Sequence, residues 1–331
     1  MKHIPDFLRT PNTGDERTLF HPILMRLPPK KMGKTYEDFL TDYRVLVASN
    51  LYCMEKFDFD AVMTISDPCR EPSGFGAKII FDGDSPPRAE VIVHSAGDIA
   101  RLRNPNPYDN FRMLDRIKGV ELFRQKLGIV FPVIGWIDGP LAVASMLGGV
   151  SDTLLNLALK PAMIQELMNK CLITCKDFAK AQIDAGANIM GVGDAICSQV
   201  SPEMYREYVY PLHKELFEYI HSLGVKIKLH ICGNITHLLT HITTVGVDIV
   251  DIDWMVSMTE ARKTLGTEVW LCGNSDPVRI IQDGTEEEIT ENYNKIKRVM
   301  GAGKFIYSAG CEITPDTSDK NLLLMRRLTL K

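Results

Sequence analysis

The sequence has no apolar run as long as the roughly 18–20 residues that a membrane-spanning helix needs, so we expect no membrane association. Positive charge is also not in excess, because 38 Lys and Arg face 42 Asp and Glu for a net charge of -4, which disfavours nucleic-acid binding. Eight cysteines in 331 residues are too few for a disulfide scaffold, and the first residues lack a basic-then-apolar export signal. These absences predict a cytoplasmic protein with reduced thiols.

The sequence does contain an alternation of short β-branched runs with longer amphipathic segments. Helical patterns cover 35–56, 162–185, 202–223 and 286–300, and eight strands are predicted at 22–27, 60–66, 131–137, 187–193, 225–232, 247–253, 268–272 and 304–308. Eight such units predict a parallel sheet closed into a (β/α)8 TIM barrel. A doubly wound open sheet is the alternative, weakened because no early strand is followed by G-x-G-x-x-G or by a Walker-type loop.

One segment interrupts the alternation. Residues 77–93 (AKIIFDGDSPPRAEVIV) have the pattern of two strands around a Gly/Pro turn, which predicts a β-hairpin inserted after the second barrel strand. We expect residues 1–20 to form an arm or short helix outside the barrel. Because no Gly/Ser-rich linker divides the chain, residues 1–331 are predicted to form a single domain.

Polar residues collect where the predicted strands end, which is the side of a barrel that carries the active site. They are Arg26, Asp67, Asp138, Asp194, His230, Cys232, Asp251, Asp253, Asn274 and Cys311. Asp194, flanked by small residues in GVGDA, is the strongest carboxylate candidate for the pocket, and Asp251 and Asp253 alternate on one strand face where they could orient a metal-binding histidine. Helix N-capping is an equally simple role for each carboxylate.

The segment KIKLHICGN places His230 and Cys232 two residues apart on a strand, so both side chains point the same way. Cys311 ends the eighth strand in YSAGC and would supply a third ligand. One His and two Cys with a fourth position open are typical of a catalytic zinc site. The alternative is that these are buried residues that happen to alternate, with Cys311 acting as a small hydrophobic side chain. His21, ahead of the first strand, is expected at the surface or at the pocket rim.

Five segments together resemble the uroporphyrinogen decarboxylase superfamily, from about Arg26 to Thr317. They are GPLAVASMLGG (139–149), the segment from GVGDA to HSLG (191–224), HICGN (230–234), GNSDP (273–277) and SAGCEITPDTS (308–318). The resemblance implies a (β/α)8 barrel. The decarboxylases of this superfamily carry an R-Q-A-G-R-type motif that binds substrate carboxylates, whereas the corresponding MRLPPKKMG retains Arg26 alone, and they have a His where this chain has Cys311.

The set of His230, Cys232 and Cys311 is instead similar to that of the zinc-dependent corrinoid methyltransferase branch, whose zinc ligands fall on these three positions. The resemblance implies a cobalamin carried by a separate corrinoid-binding protein, because this chain has no D-x-H-x-x-G signature. One group in the branch methylates thiols such as coenzyme M, and another demethylates aryl methyl ethers and passes the methyl group to cob(I)alamin. The loop ISDPCREPSGFGAKI (65–79) departs from the thiol-methylating group, so we favour a methoxyaromatic donor.

For this reaction we predict Asp194 as the acid and Zn²⁺ on His230, Cys232 and Cys311. The predicted substrate-binding residues are Arg26, Asp67, Trp136, Met190, Asp253 and Trp254, of which Trp136, Met190 and Trp254 would belong to a flat apolar slot. The rivals are a thiol methyltransferase, a porphyrinogen decarboxylase and a non-catalytic barrel. The predicted partners are the corrinoid protein, a small-molecule methyl donor and a second copy of the chain in a homodimer.

Overall fold

The structure is a computed structural model that describes residues 17–301 and 303–330. In that part of the chain, eight parallel strands form one curved sheet, in the order β1-β10-β9-β8-β7-β6-β5-β2, and β3 and β4 form an antiparallel hairpin. The strands are β1 (Leu19–Phe20), β2 (Val62–Met63), β3 (Ile79–Asp82), β4 (Ser85–Ala89), β5 (Val133–Asp138), β6 (Ile189–Gly193), β7 (Lys226–His230), β8 (Ile249–Ile252), β9 (Trp270–Ser275) and β10 (Phe305–Ala309).

Helices follow the strands and cover the outside of the sheet. They are α1 (Leu27–Lys31), α2 (Tyr36–Thr41), α3 (Tyr43–Phe57), α4 (Arg70–Gly74), α5 (Ala96–Arg101), α6 (Phe111–Leu127), α7 (Pro140–Gly148), α8 (Val150–Leu159), α9 (Pro161–Asp184), α10 (Pro202–Met204), α11 (Tyr210–Ser222), α12 (Leu239–Ile242), α13 (Met258–Leu265), α14 (Glu286–Met300) and α15 (Asp319–Thr329). Short 3-10 or π-helical turns lie at Ala195–Gln199, Tyr205–Val209, Thr236–Leu238 and Pro277–Gln282. The predicted α/β TIM-barrel class is therefore confirmed.

The edges of the sheet, β1 and β2, meet at Asp60. Its backbone N–H donates to the carbonyl of Phe20 at 3.0 Å, and its carboxylate accepts the Phe20 N–H at 2.7 Å. Arg326 of α15 binds the same carboxylate at 3.0 Å. Helix α15 therefore stabilises the junction between β1 and β2.

The prediction of the first strand was wrong. The sheet takes Leu19–Phe20 instead of 22–27, so these two residues do not belong to an outer arm, while residues 1–16 of the predicted arm lie outside the described residues. Pro22 has no N–H to donate to a ladder, and Ile23 makes an isolated parallel bridge to Glu312. Leu27 already begins α1, because prolines at 28 and 29 suit the first turn of a helix.

Side-chain alternation along the strands produces two apolar layers. One lies between the sheet and the helices, and the other fills the barrel interior. The interior cluster contains Met63, Ile134, Trp136, Ile189, Ile249, Trp270 and Ile306. Polar residues replace these apolar ones towards the carboxyl ends of the strands, so the interior changes from an apolar core to a polar mouth at that level.

The β3–β4 hairpin lies within the predicted segment 77–93, after the second barrel strand. It is tied to the barrel by a hydrogen bond from the Cys69 thiol to the Pro87 carbonyl at 3.4 Å. The Ile92 and Val93 N–H groups both donate to the Leu147 carbonyl at the end of α7. The insertion therefore packs beside the loops that follow β2 and β5.

In the described residues, no single helix is long and apolar enough to cross a membrane; α7 and α8 satisfy the length and composition criteria only as a pair, bent by 109°.

Candidate metal centre

Three soft donor atoms meet at the carboxyl ends of β7 and β10. The Sγ of Cys232 lies 3.0 Å from Nε2 of His230, and the Sγ of Cys311 lies 3.8 Å from each of those two atoms. His230 is the last residue of β7, Cys232 follows it, and Cys311 follows the end of β10. The structure thus brings together three residues that are up to 81 positions apart in the sequence.

This donor set fits a zinc ion. Around tetrahedral zinc with Zn–S bonds of about 2.3 Å, two sulfurs lie about 3.8 Å apart and a sulfur and a nitrogen about 3.6 Å apart. The Cys232–Cys311 separation of 3.8 Å matches this geometry without a change in backbone, and only the His230–Cys232 pair must open from 3.0 Å. Three protein ligands leave one tetrahedral position for a reactant.

The groups around Cys311 lower the pKa of its thiol, which favours cation binding by its sulfur. The hydrogen bond from Cys232, helped by the one from His230, lowers the pKa of the Cys311 thiol to about 4 although burial opposes this. The hydrogen bond between the two thiols, together with burial, raises the pKa of Cys232. Burial disfavours a charged His230, but the neighbouring Cys232 and Asp251 raise its pKa well above the usual value. The direction of these shifts favours the thiolate form of Cys311, which is the form that binds a cation.

Asp251 supports His230 from inside the barrel. Its Oδ2 lies 3.5 Å from Nδ1 of His230, which leaves Nε2 to face the two sulfurs. Its other oxygen is paired with the fully buried ammonium group of Lys228. Lys228 and His230 alternate on β7, so both point inward, and the cation holds the pKa of Asp251 well below the usual value despite burial. A carboxylate behind a ligating histidine is a common feature of metal sites.

In the described part of the chain, the Asp253 carboxylate makes no hydrogen bond or ion pair with His230. Its Oδ2 accepts the N–H of Gly233 at 2.9 Å and its Oδ1 accepts the N–H of Met255 at 3.1 Å. It therefore fixes the turn that follows Cys232 to the loop that follows β8. Of the two aspartates considered for orienting the histidine, Asp251 has the geometry for it and Asp253 positions the loops.

Asp194 directly follows β6, and its fully buried side chain lies against the first turn of α7. Its oxygens accept the N–H groups of Leu141 at 3.3 Å and Ala142 at 2.8 Å, and Oδ2 also contacts Nε2 of His213 at 3.0 Å. Gly139 lets it approach, since a Cβ there would lie 2.3 Å from Oδ2. With both oxygens engaged, the geometry favours the capping alternative over the predicted role as acid.

Arg26 and Asp67, two of the predicted substrate-binding residues, are held by protein partners. The guanidinium group of Arg26 binds Glu312, the neighbour of Cys311, at 3.2–3.3 Å. Asp67 receives two hydrogen bonds from Arg112, at 2.9 and 2.7 Å, and is buried. Arg26 does not end a strand, because it caps the start of α1, and Asp67 lies in the loop between β2 and α4; the polar atoms of both are paired with protein groups.

The predicted apolar slot is only partly assembled. Trp136 lies inside the barrel with its ring centre 6.4 Å from that of His230, over the bare backbone of Gly191 and Gly193. Met190 points the opposite way, into the layer between sheet and helices, because it alternates with the inward-facing Ile189 and Gly191; its place in the slot was wrong. Trp254 is on the rim, 45% exposed, and its backbone abuts Gly310 next to Cys311.

The sequence interpretation missed four residues of this region: Lys228, Arg70, Glu71 and His213. Lys228 had a signal, because period-two alternation puts it on the same face as His230. Arg70 and Glu71 lie in the loop region 65–79, and nothing in their spacing shows that they turn back to meet Asp138. His213 comes from the middle of α11, and only the packing of that helix brings it to Asp194.

Several known proteins are similar to this chain in sequence. The family model for uroporphyrinogen decarboxylase (URO-D) matches residues 27–329. The methylcobamide:CoM methyltransferase MtbA of Methanosarcina mazei is 30% identical over 271 residues, covering 81% of this chain and 78% of the relative. A uroporphyrinogen decarboxylase of Carboxydothermus hydrogenoformans is 27% identical over 325 residues, covering 92% and 91%.

Among solved structures, a methyltransferase from Methanosarcina mazei superposes with a TM-score of 0.88 at 17% identity, covering 98% of this chain and 96% of that one. This likeness shows the fold, and the sequence relatives show the family. The chain therefore belongs to the uroporphyrinogen decarboxylase family, in its methyltransferase branch.

Proposed function

We propose that this enzyme moves a methyl group from a methoxyaromatic compound to the cob(I)alamin of a corrinoid protein, at a zinc ion held by His230, Cys232 and Cys311. The observation that carries the proposal is the meeting of two sulfurs and an imidazole nitrogen within 3.8 Å at the barrel mouth. The relative named methylcobamide:CoM methyltransferase supports corrinoid-dependent chemistry. Zinc in such a site acts as a Lewis acid that stabilises the oxyanion developing on the leaving oxygen.

Two features of the mouth support an aromatic ether as the methyl donor. The indole of Trp136, which is 2% exposed, lies beside His230 and would give the site an apolar wall suited to an aromatic ring. The neighbouring ionic cluster holds two carboxyl groups, Glu71 and Asp138, against the single cation of Arg70. Because the cluster's one cation is already shared between these two carboxyl groups, it offers no free positive charge to bind the carboxylates of a porphyrinogen.

In this reaction the protein orients and encloses the reactants. Asp251 fixes the ring of His230, and Asp253 holds the turn after Cys232. The methyl carbon breaks its bond to the ether oxygen, which keeps the bonding electron pair and takes up a proton. The carbon forms its new bond with the electron pair of the cob(I)alamin. Because this chain lacks a D-x-H-x-x-G signature, we assign the corrinoid to a separate partner protein.

The test combines metal analysis with methyl transfer from methoxyarenes to free cob(I)alamin. The wild-type protein should contain one zinc per chain, and Cys311→Ser should lose most of the zinc and lower methyl transfer by at least about 100-fold, because a ligand thiolate is removed. Cys53→Ser is the matched control, since Cys53 lies on the buried face of α3, outside the cluster of three donor atoms, and should leave zinc content unchanged. Full zinc and full activity in Cys311→Ser would overturn the proposal.

A second candidate function is methylation of a thiol from a methylated corrinoid protein. The similarity to MtbA favours it, since that relative is named for coenzyme M. Here zinc would lower the pKa of the acceptor thiol. Incubating the protein with methylcobalamin and coenzyme M separates the two: thiol methylation without any turnover of methoxyarenes would replace the first proposal with this one.

A further inference from the structure

A buried ionic cluster lies at the end of β5, two strands away from His230 at the same end of the sheet, and is not used by the chemistry described above. Nη2 of Arg70 contacts Oδ2 of Asp138 at 2.5 Å, and Nε of Arg70 lies 3.7 Å from Oε2 of Glu71. The other oxygen of Glu71 accepts the Asp138 N–H at 2.8 Å. The Arg70 and Glu71 side chains are almost completely buried, whereas that of Asp138 remains 10% exposed. The cluster thus fixes the Asp138 carboxyl group and leaves part of it open.

Asp138 faces the same space as the metal centre. It ends β5, and its Cα pairs with Gly193, whose Cα pairs in turn with His230. Gly193 has no side chain to separate the two, and a Cβ there would lie 3.3 Å from Oδ1 of Asp138 and 3.2 Å from Nε1 of Trp136. Oδ1 is therefore directed over the glycine, next to the indole that flanks His230. Among the described residues, none donates a hydrogen bond to this oxygen.

The charges around Asp138 favour its protonated form. Arg70 and Glu71 face it from α4, and Asp67 lies in the loop before that helix. Asp67 is itself paired with Arg112, so Arg70 must serve both Glu71 and Asp138. Ionising both of two buried carboxyl groups beside a single cation costs free energy, because the two negative charges repel each other and share one partner. Burial, with Glu71 nearby, raises the pKa of Asp138 well above its usual value despite Arg70.

We propose that Asp138 is the general acid of the site, and that it hydrogen-bonds to the ether oxygen of the methoxyaromatic donor and protonates it as the methyl group leaves. This inference rests on the proposed demethylation. The O–CH₃ bond breaks, the oxygen keeps the electron pair, and the proton moves from Oδ1 to that oxygen, leaving a phenol and an Asp138 carboxylate paired with Arg70. Solvent restores the proton before the next turnover. The assignment replaces Asp194, whose oxygens are occupied by α7 and His213.

The test is Asp138→Asn in the zinc-loaded protein, with free cob(I)alamin and a series of methoxyarenes whose phenol products differ in acidity. General acid catalysis contributes about 10²–10⁴-fold, so kcat should fall by that factor for donors with weakly acidic phenols and much less for electron-poor donors. In the wild-type protein, kcat should decline as the pH rises through the raised pKa of Asp138, and the variant should lack this alkaline limb. Asp152→Asn, an exposed carboxyl-to-amide change, should keep both the rate and the limb.

Unchanged kcat in Asp138→Asn, or an equal loss for all donors with the alkaline limb retained, would overturn the assignment. If the amide variant fails to fold, Asp138→Glu takes its place: it keeps a protonatable group, so retention of the alkaline limb supports the proposal and its disappearance contradicts it. Zinc content, measured on every variant, separates loss of the acid from loss of the metal. Absence of methoxyarene turnover in the wild-type protein would instead overturn the proposed function itself.

Discussion

Single residues behind the metal ligands decide how the candidate centre is held. Asp251 lies between the His230 ring, at 3.5 Å from Nδ1, and the buried ammonium group of Lys228. The negative charge near Nδ1 favours the ring orientation in which Nε2 faces the sulfurs. Lys228, the partner of the other Asp251 oxygen, is fully buried.

We therefore expect Asp251→Asn to weaken zinc binding by about 10–100-fold, the usual effect of removing a carboxylate behind a metal-bound histidine. Competition with a chelator measures the zinc dissociation constant. Asp248→Asn is the matched control, because Asp248 immediately precedes the same strand but pairs with Lys226 and His221 at its other end. Equal zinc affinity in Asp251→Asn and the wild-type protein would contradict this role.

At the scale of elements, the contact between Asp194 and α7 joins two neighbouring β–α units. The carboxylate caps the first turn of α7 from the end of β6, while His213 reaches it from α11 and Tyr205 contacts the other nitrogen of that histidine at 3.0 Å. The Asp194 side chain therefore links the end of β6 to α7, to α11 and, through His213, to the turn that contains Tyr205.

Asp194→Ala should lower the free energy of unfolding by about 2–4 kcal/mol, since it removes a helix cap and leaves buried donors without a partner. Urea denaturation measures this loss. For comparison, Asp42→Ala removes a cap that is exposed and accepts the Arg44 N–H at the start of α3, and should cost about 1 kcal/mol or less. A stable Asp194→Ala protein without methyl transfer would restore Asp194 as the acid.

Some elements follow from local sequence and others do not. The segment predicted at 286–300 coincides with α14, whose Thr285 and Glu288 form a capping box around an amphipathic run. The first strand was misplaced because Pro22–Leu27 is apolar for a different reason, packing a loop and the start of α1 into the core. Met190 was predicted for the apolar slot, but the alternation of side chains along β6 turns it toward the helices.

At the scale of the whole molecule, folding buries polar groups that water would hydrate in the unfolded chain. His21 was expected at the surface or the rim, but it is 2% exposed, and neither ring nitrogen finds a partner among the described residues. Burial, reinforced by Lys228, lowers its pKa to about 3 from an ordinary value of 6.5. Folding thus keeps this imidazole neutral.

The pH dependence of stability follows from that shift. Between about pH 6.5 and 3 the unfolded chain holds a proton on His21 that the folded chain does not, so His21 contributes a loss of stability as the pH falls, at up to about 1.4 kcal/mol per pH unit. His21→Met should flatten the unfolding free energy across this range, whereas His94→Met, at an exposed position, should not. Parallel pH profiles for His21→Met and the wild-type protein would contradict the prediction.

The sequence by itself determined the barrel class and the place of the inserted hairpin, because hydrophobic periodicity and turn residues act locally. It also led to the prediction of His230, Cys232 and Cys311 as metal ligands, since their residue types and their positions near strand ends can be recognised without coordinates. The tertiary structure decided which polar residues remain available for chemistry. Arg26, Asp67 and Asp194 are engaged by partners up to 286 positions away, whereas Asp138 keeps one oxygen open beside the metal centre. Such pairing depends on packing between distant segments, which no local pattern encodes.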